Sequence, residues 1–374
     1  MPLTIFHTSD LHLGMKFAGY EGAVRDALVE ARFNCLYRLV QIANERKCNL
    51  FVVAGDLFER TDVLKGDILR TVQMLAGFEG HLVAILPGNH DYAAPDGSGL
   101  WATFREKGGD NLLILDQRHP VDLMDYGMDA VLYPCHCTAK HSAENATSWI
   151  RDQVIIAGRK HHIGIAHGSI EGVSPDFNAD YYPMDRAALE TGRVPLWLLG
   201  HTHIRYPTTP PGRGDRIFYA GTPEPDGFDC CHPGSAWIHE LADDGTRNST
   251  PLATGEYLFR HDFVALAGAA DVDNIKTRYS DEACRKLLLK LRLAGRVPAE
   301  VIAQLSEVRR EVERLVFWLK IDDTGVTRHI TNDDIDAAFT TDSFPHRLLR
   351  KLVKVDDDSD ALQEAHRLIQ EVKA

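Results

Sequence analysis

The stretch Leu50-Phe51-Val52-Val53-Ala54-Gly55-Asp56 is an uninterrupted apolar run that ends directly in a glycine and a carboxylate. Its length, its β-branched residues and the glycine that follows favour a buried β-strand over a helix. Runs of the same kind recur along the chain at Leu3–Phe6, Leu82–Leu86, Ile163–Ala166 and Leu196–Leu199. The sequence therefore predicts several buried strands, and His161 and His162 are expected to lie in a loop before one of them.

A helix is predicted between the first two of these strands. Apolar residues recur there at spacings of three and four, which makes one stripe along a helix. The residues of the stripe are Val24, Leu28, Ala31, Cys35, Leu39 and Ile42. Strands that alternate with helices indicate an α/β architecture, with α+β as its mixed form.

Polar residues with metal-binding side chains follow the apolar runs. They form five segments, Asp10-Leu11-His12, Gly55-Asp56, Gly88-Asn89-His90-Asp91, His167-Gly168 and Gly200-His201-Thr202-His203. Loops at strand ends are where side chains from separate strands converge. Imidazole, carboxylate and amide oxygen together suit Mn, Fe or Zn, and the absence of cysteine argues against a structural thiolate site. Two ions that share one carboxylate, about 4 Å apart, would activate water for attack on a phosphate ester.

Each segment has an ordinary explanation when it is taken alone. A single histidine at a strand end is more often a hydrogen-bonding residue of the core than a ligand. Asp56 could be a turn residue that follows Gly55. The five segments in order, each after an apolar run, argue against coincidence, although motif matches remain hypotheses until their structural context is known.

Composition places the chain among ordinary globular proteins of two or three domains, because 374 residues with 44% hydrophobic and 25% charged content can bury a large core. The N-terminus lacks a signal-peptide pattern, and no apolar run reaches membrane-spanning length. The seven cysteines show no zinc-binding spacing. We therefore expect a cytoplasmic protein with reduced thiols.

The chain is predicted to divide into three parts, a catalytic domain over 1–258, a smaller domain over 259–342 and C-terminal helices over 343–374. In the smaller domain, the alternation from Leu287 to Leu293 predicts a strand, Pro298 is expected to open a helix, and Val316–Leu319 predicts a second strand. This is a β-α-β unit. From Phe344 the pattern is helical in two pieces, separated by Asp356-Asp357-Asp358, with Asp358 or Ser359 as the cap of the second.

The five polar segments resemble the signature of the calcineurin-like metallophosphoesterase superfamily, which runs D-x-H, GD, GNH[DE], a histidine and GHxH. Within that superfamily the chain is similar to the SbcD-type DNA repair exonucleases, through His7–Gly14, Gly55-Asp56-Leu57-Phe58 and the Gly221 turn after Ile217-Phe218-Tyr219. The resemblance implies a sandwich of two mixed β-sheets flanked by helices, with the metals at one edge. It also identifies the β-α-β unit with the family's capping domain.

The resemblance implies two groups of metal ligands and a catalytic histidine. One ion would be held by Asp10, His12, Asp56 and His203, and the other by Asp56, Asn89, His167 and His201. Asp56 would bridge them. Mn²⁺ is the first expectation for the two divalent ions, and Fe, Zn and Mg are the alternatives. His90 would contact the phosphate or protonate the leaving oxygen, and Asp91 would orient His90 through its other ring nitrogen.

The sequence departs from the family pattern at two places. Many relatives carry a histidine after Gly-Asp-Leu-Phe, and this chain has Glu59 there. A carboxylate cannot donate a hydrogen bond to a phosphate unless it is protonated. The loop Gly221-Thr222-Pro223-Glu224 also differs from the family's usual Gly-Ser turn, so the preferred substrate can differ from that of the best-known members.

Three functions remain open on the sequence alone. The first is a Mn-dependent DNA nuclease of DNA repair, acting as an exonuclease or endonuclease with an SMC-like coiled-coil ATPase. The second is a phosphatase or cyclic-nucleotide phosphodiesterase that acts on a small substrate, which the net charge of −13 favours. The third is a non-catalytic module that keeps its metals for structure, against which the complete ligand set and His90 argue.

The expected partners follow from the charge, the C-terminal pattern and the resemblance. A net charge of −13 predicts that the isolated chain binds DNA weakly. The C-terminal apolar stripe must be buried, either on the chain's own capping domain or in a groove of the ATPase partner. Its residues are Phe344, Leu348, Leu349, Leu352 and Val353 in the first helix and Leu362, Ala365, Leu368, Ile369 and Val372 in the second. Relatives commonly form homodimers through the catalytic domain, so a homodimer is a further possibility, and no membrane association is expected.

Overall fold

The structure is a computed structural model that describes residues 2–152, 156–175, 177, 179–212, 214–355 and 360–373. The chain divides into two compact units, Met1–Leu258 and Phe259–Ala374. Each unit has its own sheets and its own hydrophobic core. The two units are therefore described separately.

The first unit alternates strands with helices along the chain. Its strands are β1 (Leu3–Thr8), β2 (Leu50–Ala54), β3 (Leu82–Leu86), β4 (Leu112–Ile114), β5 (Val121–Asp122), β6 (Ala130–Cys135), β7 (His161–His167), β8 (Leu196–Gly200), β9 (Ile217–Tyr219), β10 (Ala236–Leu241) and β11 (Arg247–Leu252). Its helices are α1 (Gly22–Glu45), α2 (Lys65–Ala76), α3 (Leu100–Lys107) and α4 (Arg186–Thr191). All five predicted strand regions are strands, which confirms those predictions.

The strands form two mixed sheets. One has the order β11-β10-β1-β2-β3-β4, with β1 to β4 parallel to one another and β10 antiparallel to both of its neighbours. The other has the order β5-β6-β7-β8-β9, in which only β5 runs antiparallel to its neighbour. Mixed sheets flanked by helices confirm the predicted fold class.

Strand β2 shows why its sequence is a continuous apolar run. Phe51 and Val53 pack against α1 and α2 on one face of the sheet. Leu50 and Val52 point to the other face, where they meet residues of the second sheet such as Ile165. Both faces of the strand are covered, so alternation of polar and apolar residues is absent. The predicted stripe of α1 lies on the covered side, with Leu28, Ala31, Cys35 and Leu39 buried.

Two buried histidines lie next to each other on neighbouring strands of the first sheet. His7 on β1 and His239 on β10 are fully buried. The ring of His7 donates from Nε2 to the carbonyl oxygen of Leu199 at 3.2 Å, and its Nδ1 lies 3.4 Å from Nε2 of His239. Nδ1 of His239 in turn lies 2.8 Å from Oγ of Ser249. In these contacts the ring nitrogens of both histidines have hydrogen-bond partners while the rings are neutral.

We expect the stability of the first unit to fall in mild acid because of these two histidines. Burial lowers the pKa of His7 from 6.5 to about 3, and burial also lowers the pKa of His239 well below 6.5. When the pH falls below 6.5, the unfolded chain takes up protons that the folded chain refuses. The free energy of unfolding should then fall by about 1.4 kcal/mol per pH unit for each histidine.

Urea denaturation of the metal-free protein between about pH 7.5 and about pH 5 tests this expectation. His239→Gln removes one of the two groups, so its loss of unfolding free energy over that range should be smaller than that of the wild type by about 2 kcal/mol. Equal losses in the two proteins would contradict the assignment of the pH dependence to these rings.

The second unit is built on a small three-stranded sheet. Strands β12 (Leu258–Ala265), β13 (Leu287–Val297) and β14 (Trp318–Arg328) lie in that order, and β13 and β14 are parallel. Helix α5 (Ala269–Arg278) follows β12, and α6 (Ala299–Leu315) joins β13 to β14. The predicted β-α-β unit is therefore present. Its second strand begins at Trp318, two residues later than predicted.

Three further helices end the second unit, α7 (Asn332–Ala338), α8 (Phe344–Val355) and α9 (Asp360–Lys373). The two predicted C-terminal helices are confirmed, whereas the predicted break at Asp356–Asp358 and its cap lie outside the described residues. Leu349 and Leu362 are fully buried in a small cluster with residues of α7. Within the described part of the chain, every helix is too short or too polar to cross a bilayer.

Candidate metal centre

The five polar segments all lie at the carboxyl ends of parallel strands. Asp10 and His12 follow β1, Asp56 follows β2, and the segment Gly88–Asp91 follows β3. In the facing sheet, His167 is the last residue of β7, and the segment with His201 and His203 follows β8. The carboxyl ends of parallel strands meet at one edge of a sheet. The two sheets thus bring the segments to one edge of the sandwich.

Two glycines allow the sheets to approach closely at this edge. A Cβ atom on Gly55 would lie 2.0 Å from Nδ1 of His167, and one on Gly200 would lie 2.0 Å from the carbonyl oxygen of Ala54. Gly55 also has a positive φ of +93°, which side chains rarely adopt. Both glycines of the GD and GHxH segments are therefore required by the geometry of the site.

Four of the predicted ligands have left-handed backbone conformations. The φ angles are +54° at Asp10, +46° at His12, +53° at Asp56 and +98° at His201. Such angles are uncommon outside glycine and tend to occur where the surrounding structure holds a functional side chain in place. Here the amides of Asp10 and His12 donate to the carbonyl oxygens of Gly55 and Asp56 at 3.1 and 3.0 Å.

The first predicted group of ligands is brought together. Nε2 of His12 lies 3.2 Å from Nε2 of His203 and 3.7 Å from Oδ2 of Asp56. Asp10, His12 and His203 each offer one ligand atom, and these atoms lie within 4.8 Å of one another. The carboxylate of Asp10 is completely buried and accepts from the amide of His201 at 3.0 Å.

The second predicted group is also brought together. Oδ1 of Asn89 lies 2.9 Å from Nε2 of His167 and 3.2 Å from Nδ1 of His201. Oδ2 of Asp56, the same oxygen that faces His12, lies 3.2 Å from Nε2 of His167. Asp56 thus stands between the two groups. The roles of the seven residues as ligands stay predictions, but the structure gathers all of them.

The chemistry of these side chains fits divalent cations. Nδ1 of His167 lies 2.9 Å from the carbonyl oxygen of Ala54. A carbonyl oxygen only accepts hydrogen bonds, so this nitrogen carries the proton and Nε2 of a neutral ring presents a lone pair to the carboxylate of Asp56. A lone pair and a buried anion directed at one point require a positive charge there.

The pKa shifts express the same requirement. Burial by itself would lower the pKa of His167, but the charge of Asp56 and its contact with the ring outweigh burial and raise that pKa to about 9. Burial opposes the ionisation of Asp56, but the neighbouring histidines hold its pKa below the ordinary value. A divalent ion supplies the charge that a proton on His167 would otherwise supply. The residues therefore fit a pair of metal ions.

His90 lies beside both groups. Its amide donates to Oδ1 of Asp56 at 2.9 Å, and its Nδ1 lies 3.0 Å from the carbonyl oxygen of Glu59. The proton therefore sits on Nδ1, which leaves Nε2 for another partner. About a quarter of the side chain is exposed, at 27%. This is the accessibility that contact with a substrate requires.

The predicted contact between Asp91 and His90 is wrong in this structure. The carboxylate of Asp91 is fully buried and accepts from the amides of Gly88 at 2.7 Å and Phe58 at 3.0 Å. The carbonyl oxygen of Glu59 takes the place beside His90 instead. Asp91 therefore stabilises the turn that carries Asn89 and His90. Burial raises the pKa of Asp91 to about 7 despite these hydrogen bonds.

Two carboxylates that the sequence did not single out as functional lie behind the histidines of the first group. Oε2 of Glu59 lies 2.9 Å from Nδ1 of His12, and Oδ2 of Asp226 lies 3.1 Å from Nδ1 of His203. The only signal for Glu59 was its departure from the family pattern. Asp226 had no signal except that it lies two residues beyond the atypical loop Gly221–Glu224.

The atypical loop itself has a structural role. Oγ1 of Thr222 donates to the carbonyl oxygen of Asp10 at 2.9 Å, so the loop holds the first ligand segment from behind. The carboxylate of Glu224 accepts from the amides of Glu256 and Tyr257 at 2.8 Å and pairs with Arg38 at 3.1 Å. This loop therefore replaces the family's usual turn with a fixed support.

Comparison with known protein families finds a match to the calcineurin-like phosphoesterases over residues 3–205. The matched segment is more than half of the chain and contains all seven predicted ligands together with His90. Asp226 lies beyond it. A comparison with curated proteins finds no match.

Proposed function

We propose that this chain, which belongs to the calcineurin-like phosphoesterase family, is a two-metal phosphodiesterase that cleaves DNA. Family membership makes it a metal-dependent hydrolase of phosphate esters. The observation that supports two ions is the position of Asp56, whose Oδ2 lies 3.2 Å from His167 and 3.7 Å from His12. One carboxylate oxygen therefore serves both ligand groups.

Bound ions of this kind activate a water molecule and neutralise charge on the phosphate. Asp10, His12, Asp56 and His203 would hold one of them, and Asp56, Asn89, His167 and His201 the other. Burial lowers the pKa of His201 to about 3, so its ring stays in the neutral form that binds metals. Mn²⁺ is the proposed metal, because the donor set of imidazole, carboxylate and amide oxygen accepts it readily.

His90 would act on the substrate itself. With its proton on Nδ1 directed at the carbonyl oxygen of Glu59, a neutral ring offers Nε2 as an acceptor, and a protonated ring offers it as a donor. In the protonated form, Nε2 would donate to a phosphate oxygen or to the leaving oxygen.

DNA as the substrate rests on the SbcD-like segments and on the appended second unit. The motifs His7–Gly14 and Gly55–Phe58 contain three of the predicted metal ligands, and the second unit contains the β-α-β arrangement expected of a capping domain. The competing substrate is a small phosphate ester or cyclic nucleotide. The net charge of −13 favours it, because a small substrate needs no basic surface.

Parallel assays of the purified chain separate the two substrates. Linear duplex, single-stranded and hairpin DNA and a small phosphodiester would each be incubated with Mn²⁺, Mg²⁺ or Zn²⁺. We expect cleavage of DNA that requires Mn²⁺ and stops with a chelator. If the chain hydrolyses only the small ester, and cleaves none of the DNA substrates with any of the metals, the nuclease proposal fails. The function would then be that of a phosphatase or cyclic-nucleotide phosphodiesterase.

We expect the isolated chain to bind duplex DNA weakly, with a dissociation constant in the micromolar range or higher at physiological salt. The reason is the net charge of −13, which repels phosphates at long range. Fluorescence anisotropy at several salt concentrations measures the affinity. A nanomolar constant at physiological salt would show that a local basic surface outweighs the net charge.

An SMC-like ATPase is the proposed partner, and the C-terminal helices are its proposed docking site. Part of the predicted stripe packs within the chain, since Leu349 and Leu362 are fully buried. Other apolar residues remain exposed, namely Phe344 at 71%, Leu368 at 47% and Val372 at 91%. These exposed residues are the ones that a partner's groove would cover.

Substitution of the exposed residues tests docking without removing the buried part. Phe344→Ser combined with Leu368→Ser should abolish co-purification with the ATPase and leave cleavage of a small phosphodiester unchanged. Leu69→Ser, which alters an apolar residue exposed to 42% in the first unit, is the matched control and should leave association intact. Undiminished association of the double variant would contradict docking through these helices.

A homodimer through the catalytic domain and a cytoplasmic location complete the proposal. The seven cysteines are all free thiols, as a reducing compartment allows. Sedimentation analysis of the purified chain measures its mass in solution, and a monomer at all concentrations would exclude the homodimer. Fractionation of cells that express the chain tests its location.

A further inference from the structure

We propose that Glu59 and Asp226 are positioning residues for the first metal ion, and that they make this ion bind more tightly than the second. Each carboxylate would hold one ligand histidine by Nδ1 and so direct Nε2 at the ion. The inference rests on the metal assignment of the proposed function. It goes beyond that assignment in naming two residues outside the ligand set and in ranking the two ions by affinity.

Glu59 faces the ring of His12. Its Oε2 lies 2.9 Å from Nδ1 of His12, whose side chain is 2% exposed. The contact is ionic, since its geometry is not that of a hydrogen bond, and it leaves the other ring nitrogen, Nε2, to face the remaining ligands. That Nε2 is the atom 3.2 Å from His203 and 3.7 Å from Asp56. Glu59 therefore places a negative charge directly behind this ligand.

Asp226 does the same for His203. Its Oδ2 lies 3.1 Å from Nδ1 of His203, which leaves Nε2 to face His12. The carboxylate is itself held in place, because the thiol of Cys230 donates to its Oδ1 at 3.1 Å. A guanidinium nitrogen of Arg32 lies 3.5 Å from Oδ2. Asp226 is therefore fixed on two sides before any metal binds.

Arg32 connects this support to the ligand segment. Its side chain is 1% exposed although it lies on helix α1, and its other terminal nitrogen donates to the carbonyl oxygen of Leu11 at 2.6 Å. Leu11 stands between Asp10 and His12 in the chain. One buried cation thus compensates the charge of Asp226 and fixes the backbone that carries two ligands of the same ion.

The histidines of the second group lack such carboxylates within the described residues. Nδ1 of His167 is paired with the neutral carbonyl oxygen of Ala54 at 2.9 Å, and Nε2 of His201 has no hydrogen-bond partner. A carboxylate behind an imidazole raises its basicity as a ligand, and its loss typically lowers metal affinity 10- to 100-fold. Because only the first group has carboxylates behind its histidines, we expect the first ion to bind more tightly than the second.

Mn²⁺ binding to the full chain tests the inference without an activity assay. Equilibrium dialysis with elemental analysis gives the number and affinity of bound ions, and electron paramagnetic resonance distinguishes a single Mn²⁺ from a coupled pair. The wild type should bind one ion tightly and a second more weakly. Glu59→Gln and Asp226→Asn keep the shape of each side chain and remove its charge. Each should weaken the tight site about 10- to 100-fold and leave the weak site unchanged.

Asp336→Asn is the matched control. Oδ1 of Asp336 lies 2.9 Å from Nε2 of His346 in the second unit, so this substitution breaks a histidine–carboxylate pair of the same kind elsewhere in the chain. Its Mn²⁺ affinities should equal those of the wild type. Asp226→Glu, which restores the carboxylate, should recover part of the affinity that Asp226→Asn loses.

Two results would overturn the inference in different ways. Wild-type affinity at both sites in Glu59→Gln and in Asp226→Asn would reject the positioning role and leave the two-metal assignment standing. A wild type that binds fewer than two ions at saturation would reject that assignment, and this inference with it. Circular dichroism identifies a variant that fails to fold, and in that case the other substitution gives the result.

Discussion

Replacement of His90 by asparagine or leucine should lower the rate of phosphodiester hydrolysis by about 10²- to 10⁴-fold while both metal ions stay bound. His90 would donate to the phosphate or to the leaving oxygen, and neither replacement supplies an ionisable donor. The backbone of residue 90 contributes to the site independently of the ring, since its amide donates to Oδ1 of Asp56 at 2.9 Å. The hydrogen bond to Asp56 therefore survives either substitution.

Metal content must be measured beside the rate, because the geometry also allows His90 to be a ligand. One nitrogen of His90 lies within 4.8 Å of ligand atoms of His12 and Asp56. Loss of metal in the variant would therefore show that His90 is a metal ligand and not a residue that acts on the substrate. His81→Asn is the matched control, since Nδ1 of His81 lies 2.7 Å from a carbonyl oxygen in the same manner but away from the site. It should leave rate and metal content unchanged.

The strands and the gathering of the ligands were predictable because both depend on local patterns. A strand covered on two faces needs a continuous apolar run, and Leu50–Ala54 is one. The residues at which each strand begins and ends were less predictable, as His161 and His162 show. They were expected in a loop, but they begin β7, because β6 continues alongside and pairs with them at Ala130 and Val131. A pairing partner 31 residues away leaves no mark on the local sequence.

The partners of the site residues were harder to predict than the residues themselves. Asp91 was assigned to His90 because the two are adjacent, yet its carboxylate binds the amides of Gly88 and Phe58 instead. Adjacent side chains in a turn point in different directions, so adjacency does not imply contact. Asp226 is 23 residues from His203, and only the fold brings its carboxylate to the ring at 3.1 Å.

Replacement of Asp56 by asparagine should remove both metal ions and activity together. Oδ2 of Asp56 lies beside His12 of the first group and His167 of the second, at 3.7 and 3.2 Å. Asparagine keeps the size of the side chain and removes its charge. Two unit charges about 4 Å apart at an effective dielectric constant of about 20 interact by about 4 kcal/mol, and a divalent ion carries twice that charge, so each ion should bind at least about 10³-fold more weakly.

The same substitution should change the metal-free protein in a way that His90→Asn does not. Burial lowers the pKa of His167, and it is chiefly the charge of Asp56 that raises this pKa to about 9. Without that charge, burial dominates and the ring of His167 should be neutral at pH 7, which nuclear magnetic resonance of the histidine side chains can detect. Elemental analysis and the rate complete the test, with Asp62→Asn, an exposed carboxylate at 78%, as the control. An active Asp56→Asn protein that holds two ions would exclude Asp56 as the ligand that bridges them.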